Sequence, residues 1–217
     1  MIEHPMPFKP SLRGVWHQWA AILSLPLGAA LVLVADGARA QIAVAIYAIS
    51  LVALFGVSAT YHRVSWRSVR ARLWMRRLDH SMIFLLIAGT YTPIDVIALH
   101  GTLALSILVA VWGLALLGIV LNLVWAHAPK WLMTAFYLAL GWIAAGALPQ
   151  LASAIGITAL SLLLVGGACY SVGAIIYATK RPDPAPTVFG YHELFHVLTI
   201  VAAALQYAVI AFWIVPT

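Results

Sequence analysis

The sequence predicts an all-α polytopic membrane protein, a bundle of seven transmembrane helices with its N-terminus in the cytoplasm. Three observations predict it. The 217 residues are 64% hydrophobic and only 8% charged, whereas a soluble domain carries about a quarter charged residues to face water. So short a chain cannot hide that much apolar surface in one aqueous core, which makes lipid the missing solvent. The apolar residues fall into seven runs near the length of about 20 that crosses the hydrocarbon layer. Lys and Arg, finally, gather on one side of the resulting topology.

The runs are Trp16–Val34, Ile42–Tyr61, Asp79–Leu99, Leu103–Trp125, Trp131–Leu148, Ile157–Thr179 and Phe189–Trp213. Asp36-Gly37, His100-Gly101, Ala128-Pro129 and the Pro-rich stretch Arg181–Pro186 are turn signals between them. Pro149 to Gly156 separates the fifth and sixth runs without a charge. Trp16, Trp19, Trp66, Trp74, Trp125, Trp131 and Trp213 sit near the ends, as an interfacial aromatic belt does. No internal repeat is visible, so residues 1–217 read as one membrane domain, with residues 1–13 as a short cytoplasmic tail.

Of the twelve Lys and Arg residues only Arg39 falls on the side opposite the N-terminus. The positive-inside rule makes the crowded side cytoplasmic, and the expected location is the cell inner (plasma) membrane. An added or missing span in the middle would scatter these charges. The formal charge of +6 therefore reflects topology and not a nucleic-acid partner. The cluster from Arg63 to Arg77 also suits anionic lipid headgroups. Ala38-Arg39-Ala40 imitates a signal-peptidase site, but the run before it is longer than the 7–15 residues of a signal peptide. Cys169, the single cysteine, excludes a disulfide framework and a Cys-based zinc knuckle.

Ionisable residues in or at the ends of membrane spans are functional candidates by default. His62 closes the second run, with Ser58 four residues before it. Asp79 opens the third, after Arg76-Arg77. His192 and His196 open the seventh. The topology brings all five to the cytoplasmic ends of their helices. Residues at i and i+4 share a helix face, so His192 and His196 can present two imidazoles to one ion. Three His nitrogens leave the fourth position of a tetrahedral Zn²⁺ to water, the arrangement of catalytic sites. Asp79 then suits the hydrogen bond to that water or to a ligand imidazole, with Ser58 as a further polar contact. Read singly, each His is an interfacial polar residue and Asp79 an N-terminal helix charge favoured by the macrodipole. His4, His17, His80, His100 and His127 read as background at tails and loop edges. His192 to His196 also spells H-E-x-x-H, the zincin signature with Glu as general base, but no third ligand or second acidic motif follows. Glu193 instead suits orienting an imidazole or pairing with an Arg.

The strings Ser58-Ala-Thr-Tyr-His62, Leu78-Asp-His-Ser-Met-Ile-Phe-Leu-Leu-Ile-Ala-Gly-Thr-Tyr-Thr-Pro93 and His192-Glu-Leu-Phe-His196 closely resemble the hemolysin III family. That family belongs to the progestin and adipoQ receptor group, in a wider superfamily with the alkaline ceramidases. The resemblance implies seven helices with the N-terminus inside. It also implies a zinc ion near the cytoplasmic face on His62, His192 and His196, with Ser58 and Asp79 adjoining. Gln206 departs from the pattern, standing near where relatives carry a further His.

Three functions follow as expectations. A zinc-dependent hydrolase would act on a lipid amide, ceramidase-like, with Asp79 moving the proton and acyl chains lying in the bundle. A sensor of membrane-lipid homeostasis would use the zinc structurally and signal through the Arg-rich loop. A pore-forming haemolysin would need a polar stripe along a span, and these spans are apolar at mid-depth.

Overall fold

The computed structural model describes residues 9–125 and 129–216. His4, His127, Ala128 and residues 1–8 of the predicted tail lie outside them. Seven α-helices follow in order: α1 (Val15–Val34), α2 (Gly37–Arg63), α3 (Val69–Pro93), α4 (Gly101–Val124), α5 (Lys130–Gly141), α6 (Leu148–Thr179) and α7 (Tyr191–Val209). A π-helical turn, Ile94–Ala98, extends α3, and another, Ile210–Ile214, extends α7. No strand occurs among the described residues.

Among the described residues, six continuous helical segments are long and apolar enough to cross a membrane, against the seven crossings read from sequence. The difference lies in one place. Trp131–Thr179 counts as a single segment of 49 residues, roughly 70 Å at 1.5 Å per residue and far more than one bilayer. It is divided at Gly156, whose φ of 76° and ψ of 164° are non-helical and belong to a region that only glycine occupies readily. The chain folds back there. Trp142 Nε1 donates to Ser171 Oγ at 3.1 Å, joining residues placed almost symmetrically about Gly156. The predicted break thus falls at the end of the Pro149–Gly156 stretch, and Leu148–Ile155 continues the fifth pass.

A second difference concerns α3. The apolar run begins at Asp79, but the helix begins ten residues earlier, at Val69. The Ser68 side chain caps it by accepting from the Ala71 N–H at 3.4 Å. Hydropathy sees only the part of a helix that lipid surrounds, whereas the backbone ladder continues through the Arg-rich turns beyond it. Asp79 therefore lies outside the first turn, which removes the macrodipole reading of its charge.

The molecule is apolar on both sides of its surface. Val44, Tyr47, Phe84, Val111, Ala159 and Val209 are buried inside, while Leu33, Leu105, Val109, Ile157 and Phe212 are exposed and read as lipid-facing. Close approach between helices uses small residues, as is usual where packing replaces hydrophobic drive. A Cβ on Gly89 would collide with Ser50 Oγ, and one on Gly118 with the Phe84 ring. At the basic end, Arg77 Nη1 donates to the Leu123 carbonyl at 2.9 Å, and Asn122 Nδ2 donates to the Arg77 carbonyl at 2.7 Å. These bonds tie the start of α3 to the end of α4.

Candidate metal centre

Three predicted ligands converge. His62 lies one residue before the end of α2, and His192 and His196 occupy the first two turns of α7. Their ligand atoms all lie within 4.8 Å of one another. His62 Nε2 and His192 Nε2 are 3.2 Å apart, and the His62 and His196 rings are centred 5.1 Å apart. Zn–N bonds of 2.0–2.1 Å arranged tetrahedrally put ligand nitrogens about 3.3 Å apart, so this edge fits an ion without rearrangement. The donor set, three imidazoles and no thiolate, suits a divalent transition metal with an open position. Gly14 makes the approach to α2 feasible. Its φ is +79°, and a Cβ there would stand 2.6 Å from His62 Cβ.

The two adjoining residues are beside this group. Asp79 Oδ2 is 3.8 Å from His62 Nε2 and 3.8 Å from His80 Nδ1. Those gaps exceed a direct hydrogen bond. Ser58, buried at the end of α2, adjoins the Asp79 carboxyl group. The site opens into an elongated cavity lined by Ser58, Asp79, His192 and His196 at one end and by Tyr170, Gln206 and Trp142 deeper in. From His196 to Gln206 the α7 wall descends about 15 Å at 1.5 Å per residue. Between these ends the lining is mostly apolar, from Leu54, Ile83, Leu86, Ile87 and Leu138 among others.

The family model described as Haemolysin-III related matches residues 7–207. The chain belongs to the haemolysin-III-related family. It is 32% identical over 207 residues to Hemolysin-3 of Bacillus cereus, covering 94% of this chain and 91% of that one. It is 31% identical over 205 residues to the Hemolysin-3 homolog of Bacillus subtilis (strain 168), covering 93% and 92%. It is 27% identical over 165 residues to the human Monocyte to macrophage differentiation factor, covering 75% and 66%.

Within this haemolysin-III-related chain, two residues read as background belong to the site. His17 is not at a tail edge. It lies inside α1, is buried, and stacks on His196 with centroids 3.8 Å apart and planes 13° apart. Its place inside the first apolar run was the available signal. His80 donates from Nδ1 to the Arg76 carbonyl at 2.7 Å, which leaves Nε2 of the neutral ring to accept from the Tyr177 hydroxyl at 3.0 Å. It lines the cavity next to Asp79. His100, by contrast, is exposed before α4.

Glu193 has the Arg partner that the sequence allowed. Its Oε1 accepts from Arg13 Nε, and its Oε2 accepts from the Gly190 N–H at 2.9 Å. Both oxygens are thereby engaged at the start of α7, which disposes of the zincin general base.

Proposed function

We propose that the protein is a zinc-dependent hydrolase of lipid amides, working at the cytoplasmic face of the inner (plasma) membrane. The observation that carries this reading is the meeting of His62, His192 and His196, the last two lining a mostly apolar cavity, with Asp79 3.8 Å from His62. An ion held there would polarise the amide carbonyl and make its bound water a nucleophile near neutral pH. The cavity wall takes the acyl chain and so holds the amide at the centre. Asp79 accepts the proton that the attacking water gives up and returns it to the departing amine, so that one C–O bond forms and one C–N bond breaks. Ser58 steadies the carboxyl group between those two steps.

The test begins with metal content, measured by mass spectrometry on detergent-purified protein. About one zinc per chain is expected, with loss in His196→Ala. Incubation of the zinc-loaded protein with a ceramide is expected to release fatty acid, and Asp79→Asn is expected to lower that rate at least 100-fold while keeping zinc. Zinc without product release would move the reading to a sensor with structural zinc, in which the ion links α2 to α7. Dye leakage from vesicles without turnover would favour a pore.

The basic end suits anionic lipid headgroups as a partner. Arg63, Arg67, Arg70 and Arg72 are exposed beside exposed Val69, Leu73 and Trp74. Burial, then the charges of Arg63, Arg13 and Arg72, holds the Lys9 ammonium below its ordinary pKa, a sign of crowded cations. Moving the protein from phosphatidylcholine to phosphatidylglycerol nanodiscs is expected to raise its unfolding temperature. The gain should vanish near 1 M salt, where the Debye length is about 3 Å.

A further inference from the structure

Away from the three histidines, few polar side chains line the cavity, and nearly all are engaged. Trp142 Nε1 donates to Ser171 Oγ at 3.1 Å, and that hydroxyl donates to the Gly167 carbonyl at 2.8 Å. The Tyr91 hydroxyl donates to the Gly141 carbonyl at 2.8 Å and accepts from the Ala144 N–H at 3.0 Å. Thr90 and Thr199 bond back to their own helices. The Tyr170 hydroxyl is unpaired but sealed inside the protein. Gln206 differs from all of these. Its amide has no hydrogen-bond partner among the described residues, and neither of its polar atoms is sealed.

The helix sets the direction of this side chain. Gln206 lies about two turns beyond Thr199, on the face that His196 and Thr199 also present to the cavity. The exposed residues of this stretch of α7, Val201 and Ala204, lie roughly opposite at about 3.6 residues per turn. Gly166 of α6 leaves room for the stem, since a Cβ there would stand 3.5 Å from Gln206 Cγ. The amide is thereby held in a mostly apolar wall.

An amide in such a wall is costly until something pairs with it. Glutamine offers a carbonyl acceptor and N–H donors, and a hydroxyl group answers both. A carboxylate fits worse, because no described Lys or Arg lines the cavity and a buried charge needs a partner. Gln206 stands about 15 Å below His196 along α7. With the head of the lipid at the histidines, an inner carbon of a long acyl chain reaches that depth.

We propose that Gln206 reads a hydroxyl group on the inner part of the acyl chain, so that the cavity selects hydroxylated acyl lipids over plain ones. This rests on the reading that an acyl chain occupies the cavity, and it names the chemistry of that chain.

The experiment measures binding to the detergent-purified full chain by competition against a fluorescent fatty acid. The competitors are oleate, ricinoleate, which adds a mid-chain hydroxyl, and α-hydroxyoleate, which carries the hydroxyl beside the carboxylate. The parent is expected to bind ricinoleate about three- to tenfold more tightly than oleate, as one neutral hydrogen bond provides. Gln206→Leu is expected to abolish that preference while binding oleate at least as well as the parent and keeping its zinc. The α-hydroxyl should bring no gain that depends on Gln206, and such a gain would overturn the assignment of depth. If the parent binds ricinoleate and oleate equally, the amide is answered by water and the proposal fails while the acyl-chain reading stands. If Gln206→Leu keeps the preference, the hydroxyl is read elsewhere and the proposal fails again. If the parent binds neither acid, both readings fall together. Should Gln206→Leu not fold, Gln206→Met, close in shape but without the amide, makes the same comparison.

Discussion

A buried carboxylate is stable only while its partners stay, and Glu193, fully buried, depends on Arg13. Arg13→Ala would leave the charge without its cation, which costs about 3 kcal/mol at the low end for such pairs, because Arg13 retains 20% exposure. Thermal unfolding in detergent should show that loss, and adding Glu193→Gln should recover most of it. Glu193→Gln by itself should keep the metal that His196→Ala loses, since the carboxylate serves α7 and not the ion. Asp95 presents the opposite case. It is buried in the π-helical turn after α3, and neither oxygen has a hydrogen-bond partner. An unsatisfied buried polar group costs about 1–3 kcal/mol, so Asp95→Leu is expected to raise stability by about that amount in the same assay, with metal content unchanged. The three converging histidines were legible because His192 and His196 are four apart and His62 ends an apolar run. His17 was not, because stacking between α1 and α7 leaves no trace in local spacing.

Among the elements, the fold-back at Gly156 separates two crossings that the sequence divided only by the uncharged stretch Pro149–Gly156. Any side chain there must adopt a conformation that costs about 1–3 kcal/mol. Gly156→Val should therefore destabilise the α5–α6 pair by that amount, read as earlier cysteine labelling or proteolysis near Trp142 and Ser171, whose hydrogen bond spans the pair. Gly14→Ala should act on the site instead. A Cβ there meets His62 and the backbone conformation is left-handed, so metal affinity should fall together with stability. Helix starts were harder to read than helix existence. The Ser68 cap and the Arg-rich turns of α3 continue a ladder of backbone bonds that hydropathy cannot detect.

Across the whole molecule, the centre lies where α2 and α7 meet, with α3 contributing Asp79 and α1 contributing His17. An ion bound only by the folded form would stabilise it by about 4 kcal/mol at a thousandfold excess over its dissociation constant. Chelation should lower the unfolding temperature accordingly, and zinc should restore it. Acidification should mimic the chelator, since histidines would hold an ion only as neutral imidazoles and protons compete for the same nitrogens. His62→Ala should be insensitive to both treatments. The sequence by itself determined the membrane class and the three histidines that meet, because hydropathy and i, i+4 spacing are local properties. The tertiary structure decided that Glu193 belongs to Arg13, that His17 stacks on His196 and that an apolar cavity leads to the centre. Those outcomes depend on which helices become neighbours, and packing between distant segments sets that.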